Sequence, residues 1–106
     1  MRNYPVKLAD LVIANGQTES NAISLLKTRY RGLAIFSPGT LTGTITVEVS
    51  PDGTNFMTLR SGSSDVAIAI DECVVVDFVA YQEIRLKSGS AEGDERTFQV
   101  RAVEEF

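Results

Sequence analysis

The side chains able to do chemistry here are mainly carboxylates, and they gather in two places: Asp71-Glu72, and Glu92 with Asp94 and Glu95. Glycoside hydrolysis needs two carboxyl groups flanking a bond, held several ångströms apart in a cleft. Neighbours on one Gly-rich loop do not supply that separation by themselves. Loop oxygens are also what Ca²⁺ takes, but the EF-hand ligand spacing is missing. Both clusters therefore read first as solvated loops, with a loop calcium site as the alternative. Histidine is absent from the sequence, which removes His-dependent triads, Cys-His dyads and imidazole metal ligands together. The Gly-containing stretch Ser37-Pro38-Gly39-Thr40-Leu41-Thr42-Gly43 lacks the lysine and helix of a phosphate-binding loop. No catalytic residue, metal-ligand set or cofactor motif is expected, and the protein reads as a non-enzyme.

Cys73, the single cysteine, precedes Val74-Val75-Val76, where a free thiol is expected to behave as a small buried hydrophobe. One cysteine cannot form an internal disulfide. The aromatics include no Trp, and Phe36, Phe56, Phe78 and Phe98 fall within apolar runs, so core packing is their expected role. Residues suited to contacting a partner lie elsewhere. Lys27-Thr28-Arg29-Tyr30-Arg31 is the only local excess of positive charge. It reads as an exposed turn or as a salt-sensitive docking patch for an acidic protein surface. Arg2 and Tyr4 stand in a possible extended arm over residues 1–5, because the residue before a proline favours extended backbone. Phe106 leaves an aromatic at the C-terminus, where chain ends either fray or pack on a neighbour. The candidate partner contacts are thus Arg2, Tyr4, Lys27, Arg29, Tyr30, Arg31 and Phe106.

The chain of 106 residues suits one domain. Its 43% hydrophobic content is enough to build a core, which argues against disorder. A net charge of −4 argues against a duplex nucleic-acid binder and against a polybasic membrane contact. No apolar run approaches the roughly 20 residues of a spanning helix, and no secretory signal is visible at Met1-Arg2-Asn3-Tyr4-Pro5.

Strands must position these residues. In the stretch 43–50, Ile45, Val47 and Val49 alternate with Thr44, Thr46, Glu48 and Ser50, a half-wet strand pattern. Pro51-Asp52-Gly53 supplies a turn in which the glycine can take positive φ, and residues 56–59 read as the returning strand. Residues 83–87 and 97–103 alternate in the same way, and the polar loop between them suggests a second hairpin. Further strands are expected over 6–14, 22–26, 33–36, 66–70 and 73–76. About eight short strands spaced by about ten residues point to an all-β, single-domain antiparallel two-sheet sandwich or small barrel.

The order of features resembles small bacteriophage head decoration (capsid cement) proteins. The residues that carry the likeness are Ala14-Asn15-Gly16-Gln17-Thr18-Glu19-Ser20-Asn21-Ala22-Ile23, Leu41 through Ser50, Pro51-Asp52-Gly53-Thr54-Asn55-Phe56, and the run from Tyr81 to Arg85-Leu86-Lys87-Ser88-Gly89. The resemblance implies a jelly-roll-like sandwich that forms homo-oligomers, often dimers or trimers, and clamps the major capsid protein on the outside of the virion. It implies no cofactor, nucleic-acid or membrane partner, and no site residue transfers through it. The chain is also similar in strand and turn order to carbohydrate-binding β-sandwich modules, though shorter and without their Trp. A tail or baseplate structural protein is the other alternative.

Overall fold

The computed structural model describes residues 3–25, 30–77 and 82–105. Among them the regular structure is entirely β, and two antiparallel sheets face each other across one core. The first sheet contains β1 (Asn3–Lys7), β2 (Leu11–Ile13), β4 (Tyr30–Phe36), β10 (Cys73–Asp77) and β12 (Arg96–Glu105). Its order is β1-β12-β4-β10, with β2 also paired to β12. The second sheet contains β3 (Ile23–Ser24), β5 (Ile45–Ser50), β6 (Met57–Thr58), β9 (Ala67–Ile68) and β11 (Glu83–Ser88), ordered β3-β11-β5-β6 with β9 on β5. Strands β7 (Arg60–Ser61) and β8 (Ser64–Asp65) make a small separate hairpin.

The core follows from period-two alternation. Leu33 and Ile35, Phe98, Val100 and Ala102, and Val76 project inward from the first sheet. Ile45 and Val47, Ile84 and Leu86, Ile23 and Ile68 meet them from the second. Each fully buried side chain of this size contributes about 1.5–3 kcal/mol, and together they fix which face of every strand turns inward. The sandwich, the 45–50/57–58 hairpin and the positive-φ turn at Gly53 (φ 81°) agree with the sequence pattern.

Other expectations are corrected. Strands β11 and β12 do not form a hairpin: they lie in opposite sheets. Both have strongly apolar faces, and facing each other across the core buries both. Residues 6–14 are not one strand. The stretch 8–10 interrupts β1 and β2, although both pair with β12 and the Leu8 N–H still donates to the Val100 carbonyl at 3.1 Å. Cys73 is exposed rather than buried. Phe36 is also 42% exposed, and Phe56 is half-buried against a guanidinium. Phe78 lies outside the described residues.

Candidate functional site

The two outer faces of the sandwich are chemically unlike. On the second sheet, Arg85 of β11 lies directly across from Glu48 of β5. Its Nε donates to Glu48 Oε1 at 2.8 Å, and a terminal nitrogen reaches Glu19 Oε2 at 3.1 Å. Lys87 approaches the same Glu19 oxygen at 3.9 Å. The Arg85 guanidinium also sits 4.0 Å from the Phe56 ring centroid, a cation–π distance. Both cations of this face, Arg85 and Lys87, therefore have carboxylate partners. The pairing also explains why Glu48, on the expected wet side of β5, is buried.

On the first sheet the outward positions form cross-strand rows. One row runs Cys73, Phe36, Gln99; the next runs Val75, Ala34, Arg101, Lys7. Val75 is 62% exposed, and with Phe36, Cys73 and half-buried Ala34 it makes an apolar strip over β10 and β4. Beside the strip, Arg101 and Lys7 stand directly opposite each other. Among the described residues Arg101 donates to the Val100 carbonyl at 3.2 Å and, at 3.4 Å, to Gln99 Oε1. Among the described residues neither cation has a carboxylate partner. Like charges directly across an antiparallel pair are destabilising, so this arrangement favours an anion brought from outside.

Strand β10 is also an edge. The Ser37 N–H donates to the Glu72 carbonyl at 2.8 Å, and that bond sets the phase of the ladder. In an antiparallel pair hydrogen-bonded and non-bonded positions alternate. The backbone polar groups of Cys73 and Val75 consequently point away from β4, to the open edge. An open groove lined by Leu59, Arg60, Val66, Val75 and Val76 borders this edge. A second cleft, of about 480 Å³, lies between residues 41–44 and 67–72 and has Ile70 exposed on its wall. Neither gathers titratable groups suited to catalysis, and no cluster of three or more metal-ligating side chains occurs among the described residues.

The expected partner residues are only partly placed. Arg2, Lys27, Arg29 and Phe106 lie outside the described residues. The backbone puts Tyr4 of β1 and Tyr30 of β4 on either side of Glu104 in β12, so the N-terminal strand and the start of β4 flank β12 at one end of the first sheet. Residues 3–5 are extended as expected and lie against β12. Arg31 is exposed beside the register shift at Val103/Glu104. Sequence reasoning missed Arg101, Lys7, Phe36 and Val75 as a group. They come from four strands and only the register unites them.

It also missed Glu92. This carboxylate is 1% exposed although it belongs to a loop expected to be solvated. Its Oε1 accepts the Thr42 N–H at 2.8 Å and Arg96 Nε at 2.9 Å. Its Oε2 accepts the Gly43 N–H at 2.9 Å and the Ser88 hydroxyl at 2.6 Å. Burial pushes the carboxyl pKa up, but the bonds from Ser88, Thr42, Gly43 and Arg96 outweigh burial and hold it down to about 2. The backbone joins in: the Gly16 N–H donates to the Glu92 carbonyl, and the Glu92 N–H to the Gln17 carbonyl. Glu92 thus clasps three loops at one end of the sandwich. Every acceptor position is occupied from within the chain, which makes it a structural group.

No protein-family model matches the sequence, and no curated protein matches it. Among solved structures, the SPBc2 prophage-derived protein YomS is similar in fold, with a TM-score of 0.65 and 13% identity over 95% of this chain and 96% of that one. At that identity the likeness concerns the fold, over nearly the full length of both chains.

Proposed function

We propose that this protein is a non-enzymatic bacteriophage virion component that binds the outside of the capsid and stabilises it as a cement protein. The observation that carries this reading is the difference between the two outer faces. On one face the cations are held by ion pairs within the sheet, whereas the other carries an apolar strip on an edge strand beside two cations that have no carboxylate partner among the described residues. A protein that works by area and many copies needs such a face rather than a pocket. The fold it shares with a prophage-derived protein and the order of its strand and turn motifs support the phage setting.

The direct test is sedimentation of purified protein with expanded heads of the encoding phage that lack it. Saturable binding in many copies per head, with a rise in the temperature at which heads break, is the expected result. Failure to bind heads, or binding to isolated tails instead, overturns the cement assignment. Saturable binding across a glycan array would replace it with a carbohydrate-binding role.

A further inference from the structure

We infer that the outer face of the first sheet is the docking surface, and that it takes a protein surface presenting apolar side chains flanked by carboxylates. This rests on the capsid-binding reading, and the occupant it names is the exterior of the assembled capsid.

The argument starts from register. Pairing of β10 with β4, β4 with β12 and β12 with β1 sets Val75, Ala34, Arg101 and Lys7 in one row, with Cys73, Phe36 and Gln99 in the row beside it. The row passes from apolar to cationic across the sheet. Val75 and Phe36 are the large hydrophobics left open on it, 62% and 42% exposed. An apolar patch with charged groups at its rim is the usual layout of a protein interface, where the centre excludes water and the rim orients the partner.

Charge complementarity selects the partner. The chain as a whole carries −4, so two adjacent cations without a carboxylate among the described residues are a local reversal of its field. Covered by a neutral surface they would be desolvated and still repel each other, at a cost. Covered by one or two carboxylates they gain partners, and Arg101 can engage a carboxylate through two parallel N–H bonds. The opposite face lacks this demand, because Arg85 and Lys87 already share Glu19 and Glu48.

The experiment measures binding to expanded heads that lack the protein, at low and at moderate salt. It compares the natural protein with Val75→Asp, Arg101→Glu and, on the other face, Lys87→Glu. Circular dichroism melts of each variant report folding. Val75→Asp and Arg101→Glu should each weaken binding about tenfold or more, and Lys87→Glu should leave it within about twofold. Salt should weaken binding of the natural protein and have less effect on Arg101→Glu. Equal binding by all folded variants overturns the docking surface and leaves the cement reading standing. No binding by the natural protein overturns both. Sedimentation showing that Val75→Asp dissociates a stable dimer while head binding is kept would assign the strip to a second copy, against the inference.

Discussion

The Glu92 carboxylate holds Thr42-Gly43, Ser88 and Arg96 together, while its backbone ties in Gly16 and Gln17, so its charge state bears on stability. Its folded pKa, near 2, lies below the ordinary carboxyl value of 4.5. A group depressed in the folded state contributes stability that is fully present above its unfolded value and lost as pH falls through its folded value. Melting temperature should therefore fall between about pH 4.5 and pH 2, and Glu92→Gln should flatten that part of the profile while lowering stability at neutral pH. Thermal melts of both proteins across this range give the comparison; parallel profiles would remove Glu92 from the account. Glu92→Ala, which strands Arg96 and two backbone donors, should cost about 3–5 kcal/mol. Gly43 is fixed by the same clasp, because an added Cβ would overlap Ser88 Oγ and lie 2.7 Å from the Ser90 nitrogen. None of this was legible in the sequence except Arg96 four residues on. Thr42 and Gly43 lie 50 and 49 residues away, and only the fold brings them to Glu92. Asp52 was more legible: its carboxylate accepts the Asn55 and Thr54 N–H groups, within a turn that Pro51 and Gly53 announce. Those bonds hold its pKa well below the usual range.

Strands carry the second level. The alternation of β5, β11 and β12 was readable because each has one dry face, and the structure buries Ile45, Val47, Ile84, Leu86, Phe98 and Val100 accordingly. Strand β10 was not readable in that way. Val74-Val75-Val76 is apolar at every position, which matches a strand covered on both sides. The structure covers only one side: Val76 is buried, while Val75 and Cys73 face out. Partner choice was equally hidden, since alternation gives a strand its faces but not its neighbours. This is why β11 and β12, consecutive in sequence, enter different sheets. The β5–β11 pair supports a separate expectation. Arg85→Ala leaves the nearly buried Glu48 carboxylate without its 2.8 Å partner and also removes the stack on Phe56. It should destabilise by about 1–3 kcal/mol, with part recovered in Arg85→Ala/Glu48→Ala. Urea unfolding of the two single variants and the double one measures that coupling, and strict additivity would mean the pair contributes nothing.

At the scale of the molecule, the sandwich divides its work between its two sheets. The second sheet pairs its outer-face cations with carboxylates and is closed at one end by the Glu92 clasp, which ties its Ser88 to the surrounding loops. The first sheet leaves on its outer face an apolar strip, an edge strand and two cations without a carboxylate partner among the described residues. The proposed cement role assigns rigidity to one and attachment to the other. That assignment fixes an orientation on the capsid, and a reconstruction of expanded heads decorated with this protein measures it directly. Density for the sandwich should lie on the capsid exterior, with Val75, Phe36 and Arg101 turned to the shell and Arg85 turned to solvent. Heads without added density, or a sandwich seated through its Arg85 face, would contradict the account.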